Sequence, residues 1–116
     1  MEMMALDYQK YCIDVNLTVK DAMRAIDNLK PQIVFIVRDN KILASLTDGD
    51  VRRFLLKGGK LSDCALDAGN KQPLSAKTEK EAAALYHQKN YIAIPIVDDL
   101  LELVDIYIGV RNDNIK

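Results

Sequence analysis

Apolar residues recur at Val19, Ala22, Met23, Ile26 and Leu29, the three-and-four spacing that places them on one face of a helix. Thr18 stands just before them as a capping residue, with Asp21 three positions on as a short form of the capping box. Pro31 fits the end of this helix. The period then changes. Ile33-Val34-Phe35-Ile36-Val37 is an unbroken, largely β-branched run between charged turn residues, which predicts a strand covered on both faces. Asp39-Asn40-Lys41 reads as a hairpin turn and Ile42 to Leu46 as the returning strand. A second helix is predicted over roughly Gly49 to Lys57, stopped by Gly58-Gly59.

The same order returns about 60 residues later. Thr78-Glu79-Lys80-Glu81-Ala82 matches Thr18-Val19-Lys20-Asp21-Ala22, and Ile96-Val97-Asp98-Asp99 matches Ile36-Val37-Arg38-Asp39. With one extra residue in the turn, Leu103 to Tyr107 matches Ile42 to Leu46. Thr78 and Glu81 form a capping box, followed by Ala82, Leu85 and Tyr86 on one helix face. The strands of this half are Ile92 to Val97 and Leu103 to Ile108. Pro95 suggests a free strand edge, or a point where a ligand lies against the backbone. A repeat of this length decides the fold. The expected division is a lead-in at 1–13, a first repeat at 14–61, a connector at 62–77 and a second repeat at 78–116. No helix is evident after the second hairpin, where Gly109 to Asn114 is polar. The chain therefore looks like a piece cut from a longer protein.

Composition narrows the function classes. The chain has 116 residues, 49% apolar and 28% charged, with 16 basic and 17 acidic side chains. It lacks the basic excess that would draw it to nucleic acid or to an anionic membrane surface. No apolar run approaches the roughly 20 residues that span a bilayer, and the N-terminus has no signal-peptide core. The two cysteines, Cys12 and Cys64, form no Cys-x-x-Cys pair and read as reduced thiols of a cytoplasmic protein.

Helix, strand, strand and helix, repeated at this spacing, resemble the tandem CBS-domain pair, or Bateman module, over about Asp14 to Ile108. The most specific stretch is Ala44-Ser45-Leu46-Thr47-Asp48-Gly49-Asp50-Val51-Arg52-Arg53. The family pattern there is Gly, two apolar residues, Thr or Ser, two variable residues, Asp, then often Arg; Ala44 replaces the Gly and Ser45 an apolar residue. The resemblance implies an α+β fold of two CBS repeats packed as a pseudo-twofold pair. The wording of Thr47 to Arg53 and the lead-in Asp7 to Ile13 look like the N-terminal CBS pair of sugar-phosphate nucleotidyltransferases. The catalytic domain would then lie beyond Lys116. The pair of arabinose-5-phosphate-isomerase-like proteins is the alternative.

Thr47 falls at a strand end and Asp50 near a helix start, where free amides and a partial positive charge tolerate an anion. A Thr hydroxyl there can donate to a phosphate or cap the helix, and a carboxylate suits two vicinal hydroxyls. The resemblance places a ribose contact on Asp50 and a ribose or phosphate contact on Thr47. Asp48, Arg53 or Arg52, and Ile13 join the candidate nucleotide site. The adenine pocket is expected from Cys12-Ile13 and Ile33 to Ile36. The ligand expected is AMP, ADP or ATP, acting on an attached enzyme. The plain alternative is that Thr47 to Asp50 is only a well-capped helix start. In the second repeat Ile108 stands at the Thr47 position and Arg111 at the Asp50 position, so one complete site per chain is expected.

No catalytic residue emerges. His87 is the single histidine and has no ligand set around it. Gly58-Gly59-Lys60 lacks the preceding strand and following hydroxyl of a phosphate loop. Asp48-x-Asp50 would hold Mg²⁺ only with phosphate ligands besides; no intrinsic metal is expected. The competing reading is a ligand-free dimerisation module. The resemblance implies homodimers through the helices, with Phe54 and Leu55 as interface residues.

Overall fold

The apolar run becomes the middle strand of a three-stranded sheet. In the computed structural model, which describes residues 2–4, 8–89 and 93–109, it spans Ile33–Arg38 (β3). Cys12–Asp14 (β2) runs parallel on one side, with Cys12 opposite Phe35. Lys41–Thr47 (β4) runs antiparallel on the other, with Ile33 opposite Thr47. Ile33, Val34, Phe35 and Ile36 are all buried, as an unalternating run requires. The hairpin turn is shorter than the sequence suggests. Asp39 and Asn40 alone make it, both at positive φ, and Lys41 already pairs with Arg38. Two-residue turns of that hand match the twist of the flanking strands, and Asp and Asn tolerate the conformation.

This sheet belongs to one compact unit, Gln9–Pro73. Its first helix is Val19–Asp27 (α1), its second Asp48–Leu56 (α2), and a single turn follows at Ala65–Ala68 (α3). α1 buries Val19, Ala22 and Ile26; Met23, read as part of the apolar face, is 38% exposed. The segment expected as a plain connector does structural work. The carbonyls of Asp63 and Leu61 accept the amides of Val19 and Lys20, and Ala65 donates to the Leu17 carbonyl. Further on, Asn70 exchanges both backbone bonds with Ser45, at 2.7 and 2.9 Å, so the outer edge of β4 is covered there. Gly69 allows that approach. A Cβ on it would stand 3.0 Å from both the Ala44 Cβ and the Ser45 carbonyl.

The second unit contains Met1–Tyr8 and Leu74–Lys116. Here Ala93–Val97 (β5) and Leu103–Gly109 (β6) form the hairpin, and Glu2–Met4 (β1) pairs antiparallel with β6. Ala76 lies parallel against β5, donating to the Pro95 carbonyl and accepting from the Val97 amide. Pro95 turns its donorless nitrogen to that same edge, away from β6, where no ladder bond is lost. Glu79–Lys89 (α4) packs Ala82, Ala83, Leu85 and Tyr86 against Ile94, Ile96 and Tyr107. The two units share a plan: each has a central hairpin with a segment parallel to its first strand and another antiparallel to its second. Residues 9–13 of the expected lead-in cluster with the first repeat, residues 1–8 with the second. Ile92 and Val110 to Asn114 lie outside the described residues.

Among the described residues neither cysteine forms a disulfide; Cys64 is exposed and Cys12 half-buried. Burial pushes the Cys12 thiol up to about 11. No helix among the described residues is long and apolar enough to cross a membrane.

Gly69→Ala is expected to destabilise the protein by about 1–3 kcal/mol, because the obstacle is backbone and core rather than a movable side-chain end. Thermal denaturation reads it as a loss of several degrees. An unchanged melting temperature would show that the segment is not held against β4 at Gly69.

Candidate functional site

β4 passes into α2 without a loop. Thr47 is both the last residue of the strand and the helix cap, in extended conformation. Its hydroxyl accepts the Asp50 amide at 3.1 Å and donates to Asp50 Oδ2 at 3.0 Å. The Thr47 amide donates to the same Oδ2, also at 3.0 Å. This is a complete capping box. Oδ2 therefore has two donors, about what one carboxylate oxygen accepts, and the Thr47 proton is already given away. For Thr47 to donate to a phosphate, or Asp50 to turn both oxygens to a ribose, the cap has to open.

Asp50 Oδ1 faces outward. Arg53 reaches it at 2.8 Å, and the two side chains are 64% and 21% exposed respectively. The Arg53 guanidinium folds back over the first turn, with Nη1 3.3 Å from where a Cβ on Gly49 would sit. Asp48 and Arg52 pair separately at 3.1 Å, and both are largely exposed. The turn thus carries two acids and two bases, a neutral cluster.

α1 starts with the same box. Thr18 caps Asp21, and the Asp21 carboxylate returns to the Thr18 amide and hydroxyl. Those bonds from the Thr18 amide, then the hydroxyl, hold the Asp21 carboxyl below the usual aspartate range. A shorter acid than Glu completes the box well, because it reaches the cap's own amide. At α4 the longer Glu81 reaches past Thr78 to the Lys77 amide, at 2.7 Å, while Thr78 still caps the Glu81 amide.

The two Asp boxes differ in what lies outside them. At α1 the outer amides, of Val19 and Lys20, are consumed by the Asp63 and Leu61 carbonyls. At α2 the corresponding amides, of Asp48 and Gly49, meet no acceptor among the described residues. The start of α2 can therefore still accept an anion, and that of α1 cannot.

Thr47, Asp48, Asp50 and Arg53 come together in one turn. Ile13 does not join them. It is buried in β2 opposite Ile36, three positions along β3 from the Ile33–Thr47 pair, roughly 10 Å at strand rise. In the second unit, Ile108 is a buried β6 residue opposite Ala93 and offers no hydroxyl; Arg111 lies outside the described residues. An open groove of about 350 Å³, which the sequence reading missed, lies between α1 and the start of α2. Lys20, Met23, Arg24, Asp27, Leu61 and Asp48 line it, while Thr47, Asp50 and Arg53 do not. The half-exposed Met23 and Leu61 are its signal, invisible until α1 has an orientation. No cluster of His, Cys, Asp and Glu suited to a metal occurs among the described residues.

No protein-family model and no curated protein matches the sequence. Solved structures do. A CBS domain protein from Pyrobaculum aerophilum complexed with AMP has a TM-score of 0.65 at 16% identity, over 82% of this chain and 76% of its own. The cytosolic domain of the Mg²⁺ channel MgtE in complex with ATP has a TM-score of 0.68 at 17% identity. That match covers 91% of this chain and 44% of the channel domain. Staphylococcus aureus OpuCA has a TM-score of 0.67 at 18% identity, over 90% of this chain and 86% of its own. The fold is α+β, that of two tandem CBS repeats.

Thr18→Ala and Thr47→Ala each remove a cap of the same construction and are each expected to cost about 1 kcal/mol in chemical denaturation. A Thr47→Ala protein as stable as the parent would mean that the α2 box does not hold in solution.

Proposed function

We propose that this chain is a regulatory module that binds an adenine nucleotide, AMP, ADP or ATP, at the Thr47–Arg53 turn of its first repeat. The observation that carries the reading is the contrast between the two capped helices: the outer amides of α1 are spent on the chain itself, and those of α2 are available beside Asp50 and Arg53. A nucleotide suits this arrangement chemically. Its phosphate can take the Asp48 and Gly49 amides and the Arg53 guanidinium, and its ribose hydroxyls can donate to Asp50. The AMP and ATP complexes of two proteins with this fold lend support. One ligand per chain follows from Ile108 at the Thr47 position. The wording of the turn favours an attached sugar-phosphate nucleotidyltransferase as the regulated enzyme, in the cytoplasm.

Titration with AMP, ADP and ATP, followed by melting temperature, tests this. A ligand at 100 times its Kd stabilises by about 2.7 kcal/mol. Asp50→Ala is expected to abolish the shift. Thr18→Ala, which loses a cap of the same kind on the other helix, is expected to keep it. The reading fails if no adenine nucleotide raises the melting temperature, or if Asp50→Ala still responds.

The dimerisation reading has its own support in α2. Leu56 is 80% exposed, a large apolar surface on a helix end. Phe54 is less available than its sequence position suggests. Its ring rests on the helix stop, where a Cβ on Gly59 would lie 2.2 Å from a ring carbon. A dimer formed through this helix is expected at tens of micromolar by light scattering. Leu56→Lys should shift it towards monomer, and a monomeric parent protein would refute the contact.

A further inference from the structure

The Asp50–Arg53 pair occupies the oxygen that a ribose would need. Oδ2 of Asp50 already takes two donors from Thr47. Oδ1 is the only outward acceptor on that carboxylate, and Arg53 Nη2 sits on it at 2.8 Å. The guanidinium reaches this point by folding back across Gly49. A Cβ at residue 49 would lie 3.3 Å from Nη1 and 3.5 Å from Nη2, so a side chain there would press the guanidinium by a few tenths of an ångström. A cation is thus held over the start of a helix, the end where positive charge is disfavoured.

We propose that Arg53 is a gate that makes the site selective for phosphorylated nucleosides over free ones; this rests on the nucleotide-binding reading above. A ribose hydroxyl that approaches Oδ1 displaces the guanidinium or shares the oxygen with it. An uncharged nucleoside breaks the ion pair and returns nothing to Arg53, which is left over the helix start with its charge uncompensated. A nucleotide brings its own anion. The released guanidinium exchanges the Asp50 carboxylate for phosphate, with which it makes charge-assisted bonds of the same kind. The ligand then holds Asp50 through its sugar and Arg53 through its phosphate, so opening the pair is compensated only by a molecule carrying both groups. Arg52 is bonded to Asp48 instead.

The test compares adenosine and AMP by calorimetry on the intact chain, in the parent, Arg53→Ala and Gly49→Ala proteins. Arg53 is exposed, so its removal leaves the fold intact. Arg53→Ala should weaken AMP about tenfold or more, by loss of a charged partner. It should also strengthen adenosine about two- to five-fold, by removal of an exposed competing ion pair. Gly49→Ala, which presses on the guanidinium without removing it, should strengthen adenosine less than Arg53→Ala does. If Arg53→Ala weakens both ligands together, Arg53 is an ordinary contact and the gate is refuted. If it changes neither, Arg53 is a surface residue, and the gate is refuted as well. A parent protein that binds neither ligand refutes the nucleotide reading itself, an outcome distinct from the other two.

Discussion

A helix that starts where a strand stops must find acceptors for its first amides within a residue or two. At Thr47 the chain meets this constraint with one hydroxyl and one carboxylate, each bonded to the other. Because no loop intervenes, the direction of α2 is set by the end of β4, and β4 is in turn held by β3 on one edge and Asn70 on the other. The polar groups of Thr47 and Asp50 are consequently committed to the cap, apart from Asp50 Oδ1, which faces outward to Arg53.

That economy produces the functional tension of the site. The residues proposed to hold a ribose are the ones that hold the helix. Thr47 has no proton to spare, and Asp50 has one oxygen to offer. A ligand at this turn therefore meets a partly used constellation, and what remains, two amides and Oδ1, is best matched by a small group of acceptors and donors rather than by a large apolar surface. Binding energy available here is modest per contact.

The duplication shows how the same plan is satisfied by different means. Asn70 covers β4 in one unit, and β1 from the start of the chain covers β6 in the other. At α1 the box Thr18–Asp21 is closed off by carbonyls of Leu61 and Asp63, whereas at α2 nothing of the kind covers Asp48 and Gly49. Duplicated sequence thus gives duplicated architecture, while within the first repeat the neighbouring segments decide which capped helix start stays open.

The helices and hairpins of the two repeats were legible in the sequence because they rest on local rules: a period of 3.6 in Val19 to Leu29, an unbroken apolar run at Ile33 to Val37, and Thr-x-x-Asp or Thr-x-x-Glu before each predicted helix start; the short strands β1 and β2 and the turn α3 were not. The turn of Thr47 to Arg53 was legible for the same reason, since its residues are neighbours in the chain. The position of Ile13 relative to that turn was not legible, because strand register is a long-range property; it places Ile13 opposite Ile36. The groove beside Met23 and Leu61, the cover that Asn70 gives β4 and the fold of Arg53 over Gly49 were likewise unreadable, as each depends on segments meeting across the fold. The sequence by itself determined that two capped helix starts exist in the first repeat. Only the tertiary structure decided which of them keeps its outer amides available, because those amides are satisfied by residues more than forty positions away in the chain.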